Sequence, residues 1–112
     1  MRYAVPVNNG MLSLHFGHCE HFALLDVDME KKEILKKELM PSPGHQPGLL
    51  PVWLADQGVS VIIAGGMGSR AQDLFEQNRI QVVIGSQEGD PEKAVLSHLH
   101  DELTTEDNIC DH

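Results

Sequence analysis

The chain has 112 residues, 41% of them hydrophobic, enough for one domain with its own core and no disulfide or metal staple. Lys and Arg number 8 against 17 Asp and Glu, a formal charge of -9, so a nucleic-acid duplex or an anionic membrane is repelled over most of the surface and neither is expected as a partner. No apolar run reaches the roughly 20 residues that span a bilayer, and the opening Met1-Arg2-Tyr3-Ala4-Val5-Pro6-Val7 lacks the apolar core of a signal peptide, so a cytoplasmic location is expected.

Arg2 to Val7 alternates Tyr3, Val5 and Val7 with Ala4 and Pro6 and reads as a strand. Pro6 donates no ladder hydrogen bond, which argues for an irregular or edge register, and Asn8-Asn9-Gly10 closes the element. A polar loop from Ser13 to Glu20 leads into His21 to Asp28, whose apolar density predicts a strand buried on both faces. Met29 to Lys32 forms a turn. Glu33 to Leu39, rich in lysine, is expected as a guarded edge strand in a hairpin with its predecessor. Pro41, Pro43, Gly44, Pro47 and Gly48 interrupt regular structure, after which Leu50, Trp53 and Leu54 predict a helix with Pro51 in its first turn and Gly58 at its end. Val59 to Ala64 is a β-branched run typical of a buried parallel strand, followed directly by Gly65-Gly66-Met67-Gly68-Ser69. Ala71, Leu74 and Phe75 carry the next helix, and Ile80 to Ile84 repeats the buried-strand pattern. Asp90-Pro91 supplies an N-cap and a first-turn proline for a last helix through about Leu99. Residues 1–100 thus form one α/β domain, and 101–112 an acidic tail ending in Cys110-Asp111-His112. Right-handed crossovers make the later strands parallel neighbours, so an open mixed sheet of about five strands with helices on its faces is expected.

Two segments carry chemistry. His15-Phe16-Gly17-His18-Cys19-Glu20-His21 offers three imidazoles and one thiol, ligands suited to zinc, copper, iron or a thiometallate, although its spacing matches no zinc signature. A turn-capping His and a Cys19 that merely fills the core are the plainer reading of the same residues. His45, Cys110 and His112 extend the candidate ligand set. In the second segment, Gly65-Gly66-Met67-Gly68-Ser69-Arg70-Ala71, successive backbone N–H groups and a helix dipole favour an anion, and Gly66 or Gly68 is expected at positive φ or at a point of close ligand approach. It is neither a Walker loop nor a dinucleotide fingerprint. If the first and fourth of the five strands are parallel neighbours, both segments share the carboxyl edge where open sheets bind ligands. Asp26 and Asp28 alternate on a strand as magnesium-binding carboxylates do, but no third acid is placed beside them, and no serine lies in an elbow motif.

With these motifs the chain resembles the dinitrogenase iron-molybdenum cofactor biosynthesis family, which includes nitrogenase cofactor carriers and small orange-protein-like domains. The likeness runs nearly end to end: Tyr3-Ala4-Val5-Pro6-Val7, His15-Phe16-Gly17 with Phe22, His45-x-Pro47-Gly48, Gly65-Gly66-Met67-Gly68-x-Arg70-Ala71 and Cys110-Asp111-His112. The loop at His18, Cys19 and His21 is richer in ligands than is common in that family. The resemblance implies a ribonuclease H-like three-layer fold without nuclease activity, its five-stranded sheet ordered 3-2-1-4-5 with the second strand antiparallel to the rest. It further implies a carrier, not an enzyme, related to nitrogen fixation and binding a metal or metal-sulfur cluster or its precursor (Fe, Mo, Cu or Zn), with a MinD-type ATPase as the partner class. A regulatory or scaffold module that binds a small anion or a protein in the same crevice is the second reading, and a nuclease-type enzyme the third.

Overall fold

A computed structural model describes residues 1–12, 19–44, 48–85 and 89–100. The elements run β1 (Arg2–Asn8), β2 (Met11–Leu12), β3 (His21–Asp28), β4 (Glu33–Pro41), α1 (Leu49–Asp56), β5 (Val61–Ile63), α2 (Ser69–Gln77), β6 (Gln81–Val83) and α3 (Pro91–Leu99). The sheet has six strands in the order β4-β3-β1-β5-β6, with β2 paired to β1 off this path. The expectation of five is corrected by that short β2, which Asn9 (φ 52) and Gly10 (φ 80) create by turning the chain back in two left-handed residues. The remaining five follow the expected order. β3 runs antiparallel to β1 and β4, whereas β5 is parallel to β1 and β6 to β5.

Strand alternation sorts the core into two layers. Tyr3, Val5 and Val7 share one sheet face with Ala23, Leu25, Val27, Val61 and Ile63 and pack under Ala94, Val95 and Leu99 of α3. Ala4, Phe22, Leu24 and Ile62 occupy the other face beneath Leu50 and Leu54 of α1 and Phe75 of α2. With both faces covered there, β3 is buried from Phe22 to Leu25 and again at Val27, which explains the apolar run at its centre. Each fully buried large apolar side chain here contributes about 1.5–3 kcal/mol.

Pro6 proves compatible with the centre of the sheet, not with an edge. The ladder from β1 to β5 uses only Tyr3 and Ala4, whereas Pro6 faces Phe22 of β3, beyond the point where β5 pairing stops. A residue with no N–H to donate is tolerated where that ladder ends. Helix boundaries follow local chemistry: Pro51 lies in the first turn of α1, Gly58 (φ 80) donates to the Ala55 carbonyl at 3.0 Å just past its end, and the Asp90 carboxylate accepts from Glu92 N and Lys93 N at the start of α3. No described helix is long and apolar enough to cross a membrane.

Candidate cofactor-binding site

The carboxyl ends of parallel β1, β5 and β6 lie on one edge of the sheet, together with the amino end of antiparallel β3. The glycine loop and the segment at Cys19–His21 therefore share that edge, as the sequence pattern required. Asn8, the last residue of β1, ties the Cys19–His21 segment in place, its Oδ1 accepting from Glu20 N at 2.7 Å. Glu20 in turn accepts from Ser42 N at 3.0 Å, fastening the end of β4 to the same approach. His21 opens β3 in register with Val7 and Pro41 and is partly buried.

The loop 65–68 is braced from below. Ala64 N donates to the Val83 carbonyl at 2.9 Å, Gly85 N to the Gly65 carbonyl at 3.0 Å, and the Gln72 amide to the Met67 carbonyl at 2.9 Å. These bonds engage carbonyl oxygens, an arrangement that leaves the electropositive start of α2 to set the character of the loop. Gly65, Gly66 and Met67 are buried, Gly68 is half-buried, and Ser69 and Arg70 are exposed. Met67 is 1% exposed and belongs to the core cluster with Leu50 and Phe75, so its thioether fills space under the loop. Among the described residues, glycines at positive φ are Gly10, Gly44, Gly48, Gly58 and Gly85, and none belongs to 65–68. Gly68 sits at φ -65, ψ 152, a conformation open to any residue, and a Cβ there would meet none of the described residues within 4 Å. The expected positive φ is therefore found at neither Gly66 nor Gly68.

The helix starts differ in a telling way. Gly68 caps α2 and Gly48 (φ 78) caps α1, each without a side-chain hydrogen bond, whereas α3 is capped by its own Asp90 carboxylate. First-turn N–H groups have no intrahelical acceptor, so α1 and α2, which lie on the same sheet face, each present donors and a positive dipole end. The sequence pattern marked Gly48 only as a helix breaker within a family motif, and Asn8 only as a turn residue; a glycine at an N-cap where Ser or Asp is usual is the signal that would have found the first.

Of the candidate metal ligands, Cys19 and His21 are described, while His15, His18, His45, Cys110 and His112 lie outside the described residues. Cys19 is 2% exposed, in the same cluster as Phe22, Leu50 and Met67, and burial pushes its thiol up to about 11. Among the described residues no three His, Cys, Asp or Glu side chains gather as a metal site. Asp26 and Asp28 stand at the opposite end of the sheet. Arg2 grips Asp26 with two bonds of 2.7 and 3.2 Å, and holds its carboxyl below the usual range, while Asp28 accepts from Glu30 N and Lys31 N in the β3–β4 turn.

The sequence model of the dinitrogenase iron-molybdenum cofactor family matches residues 1–100. The chain belongs to this family. An uncharacterized protein of Methanocaldococcus jannaschii is 37% identical over 87 residues, 73% of this chain and 72% of that protein. The crystal structure of the protein PH0822 superposes with a TM-score of 0.86 at 26% identity over 95% of both chains. The apo form of the orange protein from Desulfovibrio gigas shares the fold, with a TM-score of 0.66 at 22% identity over 96% of this chain and 93% of its own. Membership of the family relates the chain to the handling of a metallocluster cofactor.

Proposed function

We propose that this member of the family is a non-catalytic carrier for an anionic metal-sulfur cluster or its thiometallate precursor, seated at the carboxyl edge of the sheet over a ribonuclease H-like frame. The observation that carries the reading is the pair of helix starts on one sheet face whose N-cap residues, Gly48 and Gly68, have no side chain to cap them, with no described residue within 4 Å of a Cβ placed at Gly68. Such donors suit an anion of diffuse charge better than a bare cation. The donor set of the described residues fits such a cargo through the first-turn N–H groups of α2 at Ser69 and Arg70. His21 adds an imidazole at the same edge, and Cys19 would become a ligand only on leaving the core as thiolate. His15, His18, His45, Cys110 and His112 complete the proposed soft and imidazole ligands, and Fe, Mo, Cu and Zn all suit that mixture.

Absence of catalysis rests on the structural employment of both strand carboxylates, Asp26 with Arg2 and Asp28 with its turn. A charge of -9 disfavours a polynucleotide, and a MinD-type ATPase is the partner class proposed for loading or release. The test is the metal and sulfide content and visible spectrum of full-length protein isolated without oxygen, beside a form truncated after Asp107. A cluster spectrum with stoichiometric metal, diminished by the truncation, is expected. Full-length protein free of metal that also fails to take up tetrathiomolybdate would set the carrier reading aside for an anion-responsive scaffold.

A further inference from the structure

The edge of the sheet remote from β6 carries a feature that the crevice does not use. Among the described residues β4 pairs with β3 alone and is exposed along most of its nine residues, with Leu35 65% and Leu39 54% exposed. A bulge opposite Asp26 and Val27 leaves Leu35 without a partner on β3. Lysines commonly guard such edges against pairing. Here the residues on either side of Lys37 are instead complementary: Lys36 and Glu38, then Leu35 and Leu39.

Two antiparallel copies related by a two-fold axis through Lys37 would set Lys36 opposite Glu38 and Leu35 opposite Leu39, each pair occurring twice, while the bulge turns Ile34 to the α3 face and Met40 stays on the other, so the pairing ends there. Lys37 alone would meet its like, and its ammonium is already held by Glu92 of α3 at 3.2 Å. Moving the axis to Lys36 faces Leu35 with Lys37, and moving it to Glu38 faces Lys37 with Leu39, so the complementary register is specified.

We propose that two copies of this chain associate by antiparallel β4–β4 pairing centred on Lys37, joining their sheets into one. Antiparallel pairing points the two carboxyl edges in opposite directions, so both crevices stay open. The contact is short and each copy carries a charge of -9, which makes the association weak and concentration-dependent.

The test is sedimentation velocity of the full chain from micromolar to millimolar concentration. Wild type is expected to shift toward the dimer. Lys36→Glu or Glu38→Lys, each creating two like-charge pairs, should weaken association about tenfold. The double variant Lys36→Glu/Glu38→Lys should restore it to within about threefold of wild type. Because Lys36 also lies across from Asp26, amide exchange of the wild type supplies a readout without substitution: 35–39 should gain protection with concentration while 81–83, on the opposite edge, should not. A wild type that stays monomeric, a dimer indifferent to the single reversals, or a double variant as weak as the singles would each overturn the proposal.

Discussion

Replacing Gly68 by serine should separate folding from binding. At φ -65, ψ 152 the position accepts a side chain without strain, and none of the described residues lies within 4 Å of the new Cβ. Loss of glycine's freedom in the unfolded chain stabilises by about 0.4–1 kcal/mol. A serine N-cap adds a few tenths, because its hydroxyl accepts from an N–H in the first turn of α2. The sum, about 1 kcal/mol, raises the melting temperature by roughly 4–8 °C for a domain of this size. The same hydroxyl occupies the donors assigned to the cargo. Losing one charge-assisted hydrogen bond of about 1.5–3 kcal/mol weakens anion binding roughly 10- to 100-fold. Thermal melts by circular dichroism and calorimetric titration with tetrathiomolybdate measure the two effects on one preparation. A melting temperature that falls refutes the backbone argument, and one that rises with unchanged affinity refutes the assignment of the α2 start to binding.

Two further outcomes follow from the titrating groups. With Cys110→Ser leaving Cys19 as the sole cysteine, alkylation by iodoacetamide at pH 8 should be about a hundredfold slower in the folded than in the unfolded protein, since a thiol near 11 is scarcely ionised; equal rates would show that Cys19 is not held in the core. Asp26 has its carboxyl lowered chiefly by the hydrogen bond from Arg2, so its contribution is present above the ordinary value of about 3.9 and is lost as pH falls through the lower folded value. Urea unfolding at pH 7 and on the acid side of 4 should therefore show Asp26→Asn less stable at neutral pH with the gap closing in acid; a constant gap contradicts the ion pair's role.

The fold was legible wherever burial and periodicity agreed. β3 is legible because a strand covered on both faces carries a run of apolar residues such as Phe22 to Leu25, and α3 because Asp90 and Pro91 announce a helix start in side-chain chemistry. Pro6 misleads because proline also suits a central strand at the point where one of its two ladders ends, and the extent of the β1–β5 pairing is a tertiary fact. β2 escaped notice because its two residues are too few to show a period, although Asn9-Gly10 already specified the hairpin. At the site, topology brought the glycine loop and the Cys19–His21 segment together as the sequence implied. The structural roles of Met67 and Cys19 were less legible, since a sulfur side chain reads alike as ligand and as core filler until its neighbours are known. Gly68 illustrates the same limit, because a glycine kept for space and one kept for φ look identical in sequence.

Amide chemical shifts recorded while uniformly labelled protein is titrated with tetrathiomolybdate under anaerobic conditions test the carrier reading most directly. Saturable shifts should concentrate in 65–71, at Gly48–Leu49 and at Cys19–His21, while the Arg2–Asp26 pair and the Asp28 turn at the far end of the sheet stay fixed. Shifts centred on that far end, or a spectrum unmoved at saturating thiometallate, would contradict a cofactor site at the carboxyl edge.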